Sequence, residues 1–143
     1  MHYLAVIDTN VLVSALFAKH PDASTVKIIE KVYTGEITPL YSREILAEYT
    51  EVLCRPKFHF PKAVVQTLIA SIESNGIAVD PSPTGVTLPD MDDLVFYEVV
   101  MEKREDDAYL VTGNIKHFPQ SPFIVTPNEM LEIMRRGLED FQN

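Results

Sequence analysis

The sequence is short of basic residues: 12 lysines and arginines stand against 21 aspartates and glutamates, a formal net charge of −9. That balance excludes a protein that grips nucleic acid mainly by neutralising phosphates, which needs a dense cationic surface. Any nucleic-acid role must therefore be local or metal-mediated. A single cysteine, Cys54, excludes an intramolecular disulfide framework and a cysteine-based zinc cluster. It is expected to be a buried, inert thiol. The histidines at 2, 20, 59 and 117 are scattered, without the paired helical spacing of a metalloprotease. No glycine-rich phosphate loop is present, which disfavours a nucleotide-binding module. There is no long uninterrupted apolar run and no basic stretch ahead of the first one, so neither a membrane span nor a secretory signal fits. Cytoplasmic residence is the expectation.

What is present is enough apolar residue, 46% of 143, to bury one core, and a single domain over residues 1–143 is expected. Leu4 to Ile7 is apolar without alternation, the pattern of a parallel strand buried on both faces. It ends abruptly at Asp8, and Thr9 and Asn10 can cap a helix through Val11, Leu12, Ala15 and Leu16. Tyr109 to Thr112 repeats the pattern and ends at Gly113-Asn114. Weaker strands are expected at Ile37 to Tyr41, Ile77 to Val79 and Phe123 to Val125, the first weakened by Pro39.

Helices fall between them. Asp22 can cap one through Val26, Ile29, Val32 and Tyr33, stopped at Gly35. Ser42 caps another through Leu53, which ends before Arg55-Pro56. Pro61 opens a third, closed by Asn75-Gly76. An irregular stretch with Pro81, Pro83, Gly85 and Pro89 leads to Asp90-Met91-Asp92-Asp93 and a helix through Val100. Thr126-Pro127-Asn128-Glu129 is a capping box whose helix is expected to stop near Gly137. Five strands alternating with helices imply a three-layer α/β/α fold around a mostly parallel sheet.

The acids cluster at informative places. Asp8 stands at a strand-to-helix junction, where open α/β sheets bind ligands. Either it caps the helix or, with two other capping residues beside it, it needs a cation to offset its burial. On the helix from Ser42, Glu48 lies roughly 100° from the centre of the apolar stripe, whereas Glu44 and Glu51 lie farther out on the solvated side. Three aspartates between 90 and 93 exceed what capping requires, although a dipole-stabilised helix start would also collect them. Asp106 and Asp107 enter the second buried strand from its far end, roughly 20 Å from Asn114 at strand rise, and are excluded from such a site.

Taken in order, Val6-Ile7-Asp8-Thr9-Asn10-Val11-Leu12, Ser42 through Glu48 to Leu53, Asp90 through Asp93 to Phe96, and Leu110-Val111-Thr112-Gly113-Asn114 resemble the PIN domains. These are metal-dependent ribonucleases that include the toxins of many bacterial toxin–antitoxin pairs. The resemblance covers nearly the whole chain and implies a sheet of order 3-2-1-4-5. It makes Asp8, Glu48 and Asp93 the first three acids of the site, with Asp90 nearby, and puts Asn114 where a fourth acid stands in the family. Thr9, Asn10 and Thr112 match supporting polar positions. It also implies an RNA substrate, an antitoxin partner and a homodimer, the last in keeping with the apolar helices after Asp22 and Pro61.

Clustered carboxylates select hard cations, so Mg²⁺ or Mn²⁺ is the expected cofactor. Such ions activate water and neutralise charge in phosphodiester hydrolysis, without a serine or cysteine nucleophile. Lys116 and His117, just past Asn114, are candidate phosphate contacts. Three readings are open: a metal-dependent endoribonuclease, a binding domain for RNA or an antitoxin with chemistry weakened at Asn114, and an aspartyl-phosphate enzyme or receiver-like switch. The third is disfavoured because Asn10 stands where such a phosphatase needs an aspartate.

Overall fold

In the computed structural model, which describes residues 2–142 and the side chains up to 140, the two apolar runs lie side by side at the centre of the molecule. Strand β1 (Tyr3–Ile7) pairs in parallel with β4 (Tyr109–Val111), and Ala5, Val6, Ile7, Leu110 and Val111 are wholly buried. Burial on both faces is why neither run alternates. β2 (Ile37–Tyr41) pairs with the other edge of β1, and the short β3 (Ile77–Ala78) and β5 (Ile124–Val125) close the sheet. The order is 3-2-1-4-5, all parallel. Winding therefore reverses between β1 and β4.

Pro39 sits in an interior strand, where a missing donor should cost a ladder bond. β3 begins only opposite Leu40, so no β3 residue is paired with Pro39. Gly76 is required there: a Cβ on it would lie 2.4 Å from the carbonyl oxygen of Pro39 and 2.6 Å from that of Ile72.

Helices cover both faces: α1 (Thr9–Phe17), α2 (Ser24–Thr34), α3 (Arg43–Leu53), α4 (Lys62–Asn75), α5 (Leu94–Glu102) and α6 (Pro127–Gln142). Ser42 Oγ accepts from Ile45 N at 3.2 Å, the expected cap of α3. Thr126 and Glu129 exchange both bonds of the capping box, at 2.9 and 3.2 Å. Tyr49, fully buried on α3, donates its hydroxyl to the Ile7 carbonyl and ties that helix to the central strand. The irregular stretch before α5 is pinned to it by Glu98, which accepts from Thr84 N at 2.7 Å, and Glu102, which accepts from Ser82 N at 2.8 Å.

Four local expectations are corrected. Thr9 and Asn10 lie inside α1, and Asp8 holds the N-cap position without a capping bond from its side chain. Helix α2 starts at Ser24 after Ala23, so Asp22 is not its cap. Helix α6 runs through Gly137 to Gln142, braced where glycine weakens it by pairs of Arg135 with Glu132 and Glu139 and of Arg136 with Glu132. Cys54 is exposed, because the buried stripe of α3 ends one residue earlier at Leu53.

Candidate metal centre

The C-terminal ends of β1 and β4 carry the first part of the site. The ladder continues past the strands, Asp8 N donating to Val111 O at 2.9 Å, so Asp8 and Thr112 emerge together at the point where winding reverses. Only 5% of Asp8 is exposed, and Thr112 not at all. The Thr112 hydroxyl donates to Asp8 Oδ2 at 2.8 Å, and Asn10 Nδ2 donates to the same oxygen at 3.0 Å. Asn10 also reaches across the sheet end, its Oδ1 accepting from Gly113 N at 2.9 Å. Asn114 N donates to Thr112 Oγ1 at 3.0 Å. The motif at the end of β1 and the motif at the end of β4 are thus one hydrogen-bonded unit.

These bonds do not hold Asp8 at an ordinary carboxylate acidity. Burial pushes its pKa up to about 6; the Thr112 hydroxyl and the nearby amides of Asn10 and Thr9 pull it down, and the charge of Asp93 pushes it up again. Asp93 comes from the turn that opens α5. Its pKa is raised, chiefly by partial burial and then by Asp90 and Asp92, against the lowering effect of His117. Glu48 projects from the border of α3 and is half-buried, as the helix geometry requires. Burial raises its pKa, and Glu51, Asp92 and Asp8 add to the rise. Asp8, Glu48 and the aspartates before α5 therefore act on one another electrostatically, although they come from three separate elements.

The tightest convergence is elsewhere in this group. Asp90, Asp93 and His117 each bring one ligand atom within 4.8 Å of the other two, and neither Asp8 nor Glu48 joins that cluster. Asp90 accepts a cap bond from Asp92 N at 3.0 Å, so one aspartate caps while Asp93 is turned to His117. His117 Nδ1 lies 3.1 Å from Asp93 Oδ2. The sequence singles out His117 as a phosphate contact, yet its ring is turned to a carboxylate. The only sequence signal for that pairing is its closeness to Asn114: Asn114 O accepts from His117 N at 3.0 Å in a single 3₁₀ turn. Lys116 is exposed on the same turn.

The donor set suits a hard or borderline divalent cation: carboxylates and one imidazole, with no thiol. Among the described residues, the buried side-chain oxygen without a hydrogen-bond partner is Thr9 Oγ1, in the residue after Asp8. A buried hydroxyl left unpaired one residue from a buried carboxylate of raised pKa is an orphaned polar atom that a cation's waters could satisfy.

A family model described as a PIN domain matches residues 4–116. The chain belongs to the PIN-domain family. The matched span contains Asp8, Glu48, Asp90, Asp93, Thr112 and Asn114, and stops one residue before His117. Among solved structures, a chain of VapBC2 from Rickettsia felis, crystallised with a DNA fragment from its promoter, is similar. It is 24% identical with a TM-score of 0.52, over 86% of this chain and 96% of that one, a likeness of fold. No curated protein matches the chain. No helix among the described residues is long and apolar enough to cross a membrane.

Proposed function

We propose that this PIN domain is a metal-dependent endoribonuclease that hydrolyses RNA phosphodiesters, acting as the toxin of a toxin–antitoxin pair in the cytoplasm. The observation that carries the reading is Asp8: a carboxylate 5% exposed, with its pKa pushed up to about 6, facing the charge of Asp93. A protein keeps such a group at a switch point when a cation offsets it. Asp8, Glu48 and Asp93 would hold Mg²⁺ or Mn²⁺, with Asn114 contributing its amide oxygen at the fourth corner. When bound, the cation supplies charge neutralisation and a water of lowered pKa for an in-line displacement.

The chain's own residues do the rest. Thr112 and Asn10 fix one oxygen of Asp8, so the carboxylate cannot rotate away from the site. Lys116, exposed on the turn after Asn114, would meet a phosphate of the RNA. The acidic site would be closed by an antitoxin segment that inserts a basic side chain in competition with the metal. The homodimer would form through an apolar hollow of about 370 Å³ between α1, α2 and α4, bordered by Leu16, Ile29, Tyr33 and Val64. Light scattering at micromolar concentration checks that: a monomer refutes it.

The decisive experiment is RNA cleavage with Mn²⁺, with EDTA, and by Asp8→Asn. Cleavage that needs Mn²⁺ and is lost in Asp8→Asn is the expected result. Asn114, which brings no charge, favours the second reading of a binding protein with weakened chemistry. RNA binding without cleavage at saturating Mn²⁺ would select it.

A further inference from the structure

We infer that His117 is a direct ligand of the divalent cation, which gives the site a nitrogen donor and a preference for Mn²⁺ over Mg²⁺. The inference rests on the metal-dependent reading above and assigns a residue outside the span that the family model matches. Its basis is the convergence of one nitrogen and two carboxylates, His117, Asp93 and Asp90, within 4.8 Å.

The spacing inside that cluster is the first argument. Two neighbouring ligands of an octahedral ion, each at about 2.1 Å, stand about 3 Å apart. His117 Nδ1 and Asp93 Oδ2 are 3.1 Å apart, the separation that two such ligands need. The local backbone is the second. Asn114 is the N-cap of the 3₁₀ turn Ile115–His117, and its carbonyl accepts from His117 N at 3.0 Å, which closes the turn. The imidazole is therefore carried on the short turn that the Asn114 backbone closes.

The pairing has little value as a salt bridge. The His117 side chain is 43% exposed and Asp93 14%, and an ion pair open to solvent on one side contributes little. Asp93 is also the member common to this cluster and to the pair with Asp8. An ion held by His117 and Asp93 would thus lie within electrostatic reach of the buried Asp8 carboxylate. Imidazole is a donor for transition metals, whereas Mg²⁺ is taken by carboxylates, phosphate and water. Loss of the ring should then weaken Mn²⁺ far more than Mg²⁺.

The test is pulsed electron paramagnetic resonance of Mn²⁺ in the full chain, with calorimetric titration of Mn²⁺ and Mg²⁺, for wild type, His117→Ala and His117→Gln. Glutamine keeps a hydrogen bond to Asp93 and removes the imidazole. The wild type should show nitrogen coupling to Mn²⁺ that both variants lose. Mn²⁺ affinity should fall about tenfold or more and Mg²⁺ affinity far less. Stoichiometric Mn²⁺ binding without nitrogen coupling in the wild type overturns the inference and leaves the metal-dependent reading standing. So does wild-type Mn²⁺ affinity in His117→Gln. Absence of Mn²⁺ binding by the wild type overturns the metal-dependent reading, and this inference with it.

Discussion

Replacing Asp8 with asparagine should stabilise the metal-free protein at neutral pH relative to acid pH, in spite of removing the residue on which the site is built. The pKa of Asp8 rises from 3.8 to about 6 on folding. Between these values the folded state holds more protons than the unfolded chain, so stability falls as pH rises through the window and stays low above it. At about 1.4 kcal/mol per pKa unit, the ionised carboxylate costs about 3 kcal/mol at pH 7.5. About 1 kcal/mol of that is already present at pH 4.5, because the unfolded chain is largely ionised there. Some 2 kcal/mol therefore develops between pH 4.5 and 7.5.

Asparagine has no such term. Its amide oxygen can still accept from Thr112 and Asn10, while its NH₂ lacks the partner that a carboxylate does not need, a cost of about 1–3 kcal/mol that does not vary with pH. The informative quantity is the change with pH of the stability difference between wild type and Asp8→Asn. Urea unfolding in EDTA from pH 4.5 to 7.5 measures it, and groups elsewhere in the molecule cancel in the difference. The wild type should lose about 2 kcal/mol relative to the variant across that range. In Mn²⁺ at about 100 times its Kd, the wild type should regain about 2.7 kcal/mol and the variant nothing. A difference flat with pH would mean that burial does not hold the Asp8 proton, and the case for a cation at this carboxylate would fail.

Asn114→Asp should tighten Mn²⁺ binding in calorimetry by restoring the fourth charge; no change would mean that the amide does not stand in for a ligand. Tyr49→Phe, which leaves the Ile7 carbonyl without its buried donor, should cost about 1–2 kcal/mol in urea unfolding with little effect on metal binding. Gly76→Ala should cost about 1–3 kcal/mol, because its Cβ meets the backbone oxygens of Pro39 and Ile72, which cannot give way without shifting β2 or the end of α4.

The parts of this fold legible in the sequence are those set by short-range rules. Leu4 to Ile7 reads as a two-faced buried strand because no polar residue interrupts it, and Glu48 reads as a boundary residue because helical angle alone separates it from Glu44 and Glu51. Ser42 and the pair Thr126 and Glu129 announce helix starts through chemistry that acts over three residues. What the residues alone leave open is where a local preference yields to packing. Gly137 looks like a stop, but α6 runs through it to Gln142, with Arg135 paired to Glu132 before it and to Glu139 beyond it. Asp22 looks like a cap, but the chain reaches α2 two residues later. The pairing of Asp93 with His117, 24 residues apart, and that of Asn10 with Gly113, 103 apart, obey no spacing rule, since they exist only once β1 and β4 lie side by side.

That dependence on the sheet bears on how the site is held. Asn10 accepts from Gly113 and donates to Asp8, so the amide that orients the first carboxylate also anchors the backbone leading to Asn114. Thr112 does the converse from the other strand, donating to Asp8 and accepting from Asn114 N. Each motif thus positions the polar group of the other, and the order of the site is carried by two side chains rather than by the cation. If so, removing metal should leave the ends of β1 and β4 as they are and release only charge. The amide of Gly113, held by Asn10, should keep its hydrogen-exchange protection in EDTA and lose it in Asn10→Ala. Loss of that protection on metal removal alone would show that the cation, and not Asn10, holds the two strand ends together.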